Sequence, residues 1–403
     1  MANVIANAPT LGIRIGAADR AETRSAAAIP WYAWCLVAGA TSALIGGYWD
    51  ISWHISIGRD SFWTPAHMAV YLAGVLAGVA CGYAILSTTF GTAESRAQAK
   101  AASVSIWGFR GPLGCFIAAW GGVLMLTSAP FDNWWHAAYG LDVKILSPPH
   151  VMLAMGIGAI KLGALLLVCA QANRASGANR IKFDRLLLYL ASVELTGDAG
   201  FVLEKTWPTL THSPQFYFAV CTGMLMILVL ITMVSQARWP ATTVAAAYTA
   251  LFALAVWIFP LFPAEPKLGP VYQHVTHFIP LGFPLPIIVP AFAIDLLRHR
   301  MGERWGAWKS ALLAGSVFFV TLLAVEWPWA DFINSPLARN RFFGRIYFGY
   351  SDPANILYNP YHFYSPEKTE AAFISGMVTA LIGAMVVSSI AMALGNWMRQ
   401  LKR

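Results

Sequence analysis

The chain is 403 residues long, 58% of them hydrophobic and only 11% charged. A soluble domain carries about 25% charged residues, so this composition excludes a soluble enzyme, a nucleic-acid-binding domain and a disordered protein, and makes lipid the solvent for most of the chain. The formal net charge of +8 then reports orientation in a bilayer and implies no acidic partner or nucleic acid.

In chain order, residues 1–30 read as a cytosolic Ala-rich tail without the apolar core of a secretory signal. Ten stretches are then long and apolar enough to cross the hydrocarbon: 31–49, 65–90, 108–128, 149–172, 186–203, 213–236, 241–261, 277–297, 309–328 and 371–395. The tail, alternate loops and the C-terminus together hold 18 of the 27 Lys and Arg but only six acids. The positive-inside rule places that face, with both termini, in the cytosol. The expected fold is an all-α polytopic bundle in a bacterial-type inner (cytoplasmic) membrane, built as about ten transmembrane helices in five outward-opening hairpins. Residues 31–328 make a nine-helix bundle, 329–370 an aromatic-rich exoplasmic cap, and 371–403 the last span and a basic cytosolic end. Cys35, Cys81, Cys115, Cys169 and Cys221 sit in apolar runs with no metal-ligand spacing and read as buried hydrophobes.

The outer loops carry the unusual chemistry. In the first, Asp50 and His54 are four apart, which puts them on one helix face. His67 follows Pro65 at the start of the next span, a position that suits a first helical turn. A hairpin can therefore bring Asp50, His54 and His67 to one point, where two imidazoles and a carboxylate suit copper or another divalent metal. The second loop repeats the pattern with Asp132, His136 and, after Ser147-Pro148-Pro149, His150. The third is degenerate, with Glu194, Asp198 and His212; the fourth has Glu265, His274 and His277; the fifth has Glu326, Asp331 and, far along the cap, His362. Eight of the nine histidines thus fall on the outer face, leaving His299 on the cytosolic side. A duplicated hairpin whose polar residues only cap helices would give the same pattern.

Lys161, within the fourth span, is expected to snorkel to the cytosolic surface. Asp295 is expected to form a surface ion pair with Arg298 or Arg300. Trp49, Trp53, Phe62, Trp63, Trp134 and Trp135 read as an interfacial aromatic belt, open to a second role as a dry pocket wall.

The first loop also resembles a known family. Asp50-x3-His54-x12-His67, set in Trp53-His54-x4-Arg59-Asp60-x2-Trp63-Thr64-Pro65-x-His67, is similar to the metal-binding run of the C subunit of the copper membrane monooxygenases, the particulate methane and ammonia monooxygenases. The likeness covers residues 46–70. It implies that Asp50, His54 and His67 are metal ligands, copper in most accounts, near the outer membrane face. It further implies O2-dependent oxidation of a small apolar substrate, with other membrane or periplasmic subunits as partners. The chain departs from the family in carrying a second outer copy, Asp132-His136-His150.

Two other function classes stay open. A copper or metal transport or assembly protein would need polar residues continuing down the bundle. A haem or quinone electron-transfer subunit would need paired histidines deeper in adjacent helices.

Overall fold

The computed structural model describes residues 29–58, 60–91, 95–140, 147–267, 275–301, 307–347 and 362–403. The chain is helical almost throughout: α1 Trp31–Ser56, α2 Pro65–Phe90, α3 Ser95–Ala101, α4 Leu113–Tyr139, α5 Pro148–Arg174, α6 Gly177–Phe201, α7 Pro214–Gly223, α8 Leu225–Val234, α9 Pro240–Ile258, α10 Ile288–Met301, α11 Ala307–Asn334 and α12 Glu370–Gln400. Among the described residues, seven helical segments are long and apolar enough to cross a membrane: those beginning at Pro65, Leu113, Pro148, Pro214, Pro240, Trp308 and Glu370. This is a multi-pass membrane protein. The other three expected spans are less regular. Helix α1 is 26 residues long but rich in Trp and Tyr, and α6 carries six charged side chains.

The third departs further. The stretch 277–297 is helical only from Ile288, and 277–287 runs without helix. The cause is in the sequence: Pro280, Pro284 and Pro286 each lack an N–H and clash with the preceding turn, so an apolar run of helical length does not make a helix. The span expected at 108–128 also starts later. Phe109–Gly111 is a strand, β2, paired antiparallel with β1 Val104–Ile106, and α4 begins only at Leu113 and extends to Tyr139. Helix α11 runs past 328 to Asn334, so the cap begins six residues later than expected. Residues 348–361 of the cap and residues 1–28 of the tail lie outside the described residues.

Small residues bring the first two hairpins together. A Cβ added at Gly46 would meet Val70 N at 2.7 Å, and one at Gly121 would meet Gly156 O at 2.6 Å, so α1–α2 and α4–α5 touch backbone to backbone. A Cβ added at Gly122 would lie 3.2 Å from Gly74 O on α2, a contact that joins the two hairpins into one four-helix unit. Small-residue contacts of this kind are the usual means of close helix packing in lipid. Because α2 and α4 run antiparallel, the end of α1, the start of α2, the end of α4 and the start of α5 all lie at the same end of the bundle. All five cysteines are free thiols; four are buried and Cys35 is partly so.

Asp295 is not on the surface. It is fully buried and accepts hydrogen bonds from Thr242 N (2.8 Å), Thr242 Oγ1 (2.7 Å) and Ala241 N (3.3 Å). The expected ion pair is replaced by a cap on the N-terminus of α9, whose first N–H groups have no partner within the helix.

Candidate metal centre

Two groups of ligand-type side chains converge at that shared end, each with its donor atoms within 4.8 Å of one another: Asp50, His54, Asp60 and His67, and Asp132, His136 and His150. In the first, His67 Nε2 stands 3.1 Å from Asp50 Oδ1 and 3.3 Å from Asp60 Oδ2. His54 Nε2 stands 3.7 Å from Asp50 Oδ2 and 3.5 Å from Asp60 Oδ2. Local sequence sets this arrangement. Asp50 and His54 occupy successive turns of α1, and Pro65 opens α2 so that His67 falls in its first turn. Between them Thr64 Oγ1 accepts from Ser61 N at 2.8 Å, a turn that carries Asp60 back over the pair.

The opposite face of α1 is held still. Ser52 Oγ donates to Ile279 O at 2.6 Å, and Ser56 Oγ accepts from Ile279 N at 2.7 Å. The unwound 277–287 segment supplies backbone groups that a helix would have used internally, and these fix the helix end that presents the ligands.

In the second group His136 Nε2 lies 3.4 Å from Asp132 Oδ2 and His150 Nε2 lies 3.5 Å from Asp132 Oδ1. The His136 Nδ1 sits 3.2 Å from Gly140 O, which leaves Nε2 turned toward the carboxylate. Ser147 Oγ accepts from His150 N at 3.4 Å and caps α5.

The donor chemistry fits a divalent metal. Asp50 Oδ1 and Asp132 Oδ1 are buried and accept no hydrogen bond although each faces an imidazole nitrogen, and His67 Nδ1 is likewise buried without a partner. Such orphaned atoms are rare in native proteins, and a cation between carboxylate and imidazoles satisfies the two oxygens. The hydrogen bond from His67 holds the Asp60 carboxyl below its ordinary pKa despite partial burial, so Asp60 is an anion at neutral pH. Two imidazoles with two carboxylates, or with one, make an N/O donor set suited to copper, zinc, iron or nickel.

Sequence reasoning placed six of these seven residues and missed Asp60 as a ligand. Its position ten residues after Asp50 fits no helical spacing; the Arg59-Asp60 pair within the matched run was the available signal.

Among the described residues, the remaining candidates do not join either group. Glu194 is paired with Lys161 at 3.1 Å, and Lys161, only 4% exposed, does not snorkel. Glu194 and Asp198 sit one turn apart on α6 facing α5, and Gly197 between them leaves room for the ammonium, since a Cβ there would lie 2.6 Å from Lys161 Nζ. Attraction to two carboxylates outweighs the distant cytosolic surface. His212 is stacked between Trp327 and Phe363, with centroid separations of 4.1 and 3.7 Å, and its Nε2 is 3.1 Å from Trp327 O. His277 bridges to Pro263 and lies against the Tyr347 ring. His274 lies outside the described residues. Of the aromatic residues, Trp63 and Trp134 are well exposed, as a belt requires, whereas Phe62 packs on Tyr71, one turn below His67.

Comparison with family models, curated proteins and solved structures returns no match.

Proposed function

We propose that this is a copper-binding membrane protein of the copper membrane monooxygenase type, acting on a small apolar substrate with O2 as the enzyme or as one subunit of it. The observation that carries the reading is the convergence of Asp50, His54, Asp60 and His67, with a second group at Asp132, His136 and His150 beside it. The resemblance of residues 46–70 to the family's C subunit supports copper over other divalent metals. In this reading about ten spans place both termini in the cytosol of a bacterial-type inner membrane, with both metal groups near its exoplasmic face. Asp50, His54, Asp60 and His67 would hold one ion; Asp132, His136 and His150 would hold the other. Copper bound there would supply O2 reduction, putting one oxygen atom into a C–H bond and releasing the other as water, with two electrons and two protons from a quinol or a periplasmic carrier. The chain's own part is to bind the metal, orient the imidazoles through Ser52, Ser56 and Gly140, and admit lipid-soluble O2 and substrate from the bilayer.

Transport of the metal is the second reading. It is favoured by one observation, the buried Lys161–Glu194 pair with Asp198, which carries polar groups below the helix ends. An electron-transfer haem is less well supported, because the histidines gather at helix ends. Metal analysis of the detergent-purified protein, followed by incubation of reconstituted membranes with 18O2 and a light alkane, tests the proposal. Copper in the protein and 18O in the alcohol support it. A folded protein that takes up no copper would sink it, and copper flux into liposomes without oxidation would favour transport.

A further inference from the structure

A cavity of about 40 Å³ lies among α6, α9, the 277–287 segment, α11 and the cap. Its walls include Phe252, Leu281, Phe283, Trp329 and Ile333. Two charged side chains line it as well, Glu326 and Arg345, each 1% exposed. Arg345 is held in place by Asn334: its Nη2 donates to Asn334 Oδ1 at 3.0 Å, and Asn334 Nδ2 donates to Pro208 O at 3.1 Å. Glu326 Oε2 is buried and accepts no hydrogen bond. A buried carboxyl oxygen without a partner is costly, and it asks for a hydrogen-bonding group from whatever fills the cavity.

The chemistry narrows the occupant. The lining is mostly aromatic and aliphatic, and an ion is costly to bury against such walls, so the occupant is neutral. It must hydrogen-bond to Glu326, and the rest of it must suit aromatic and aliphatic walls. The volume admits about three waters or a molecule of a few heavy atoms. We propose that this cavity binds a small neutral alcohol, its O–H donating to Glu326 and its alkyl part lying against Phe252, Phe283 and Trp329. An alcohol is the product class of the proposed oxidation, and this assignment of a role rests on that reading. The position agrees with it: Phe252 packs edge-on at 5.2 Å against Tyr48, two residues before Asp50 on α1.

The test is a titration of the full-length protein in detergent with 1-propanol carbon-13-labelled at C1, followed by saturation-transfer NMR. Four heavy atoms bind no tighter than about 40 µM, so the titration extends into the millimolar range. Saturable binding is expected. Glu326→Met keeps the bulk and removes a buried carboxylate, so it leaves the fold intact; it should weaken binding at least tenfold. Ala330→Leu, which fills the cavity while leaving Glu326 in place, should abolish the saturable signal. No saturable binding to the folded wild-type protein would mean that water alone occupies the cavity and would overturn the proposal, as would equal binding by both variants. The titration is run with copper present and after chelation. Binding in both conditions keeps the alcohol site standing even where the copper reading fails, whereas a copper-loaded protein that binds no propanol loses this inference alone.

Discussion

The two ligand groups are built on the same plan and differ in depth and charge. In both, an Asp and a His four apart end one helix, and a second His enters the next helix behind proline. The first group adds Asp60, so two carboxylates face two imidazoles, whereas the second has one. The first holds its later histidine deeper, His67 at 17% exposed against 34% for His150, but its earlier one shallower, His54 at 45% against 25% for His136. A further carboxylate strengthens attraction to a cation. The account therefore makes the first group the tighter site and the second a weaker copy.

The comparison breaks most sharply at His67. Replacing it with Ala removes a direct ligand, and metal affinity at the first group should fall by more than about 100-fold, beyond the range seen when outer-shell partners are lost. Metal-to-chain ratios at limiting free copper should then drop by one ion, with the second group unchanged. Equal loss from both groups would mean that they form one site. Asp60→Asn is next. It keeps an oxygen donor and removes only the charge, so it should cost the first group less than His67→Ala, on the order of tenfold, and bring the two affinities together in competitive titration with a chelator; an unaltered difference would remove Asp60 from the explanation.

Gly140 offers a smaller change confined to the second group. Its φ of +87° belongs to glycine, and its carbonyl faces His136 Nδ1. Gly140→Ala should destabilise the fold by about 1–2 kcal/mol and weaken only the second site, read by thermal unfolding beside metal titration. The least effect is expected from His212→Ala, which removes stacking worth about 0.5–1.5 kcal/mol and should leave metal content unaltered.

The two Asp/His groups were legible because they lie where sequence rules are strong. A spacing of four on a helix and a histidine two residues behind a helix-opening proline survive any tertiary context. Asp60 was not legible, since its place depends on a turn closed by Ser61 and Thr64. Burial of charge was the other blind spot. Lys161 and Asp295 read as surface-seeking because hydropathy carries no record of partners. The structure gives Lys161 two carboxylates on α6 and gives Asp295 the open N–H groups of α9. The 277–297 stretch shows the opposite case: its apolar count argued for a continuous helix, while its prolines decided the backbone, and the unwound half became the clamp on α1.

The most direct test of the central claim is X-ray absorption at the copper edge on the full-length protein purified with its metal. The account predicts a shell of nitrogen and oxygen with about two imidazoles per copper and no sulfur, because the five cysteines lie apart from both groups. A sulfur shell, or a folded protein that holds no copper at all, would contradict it.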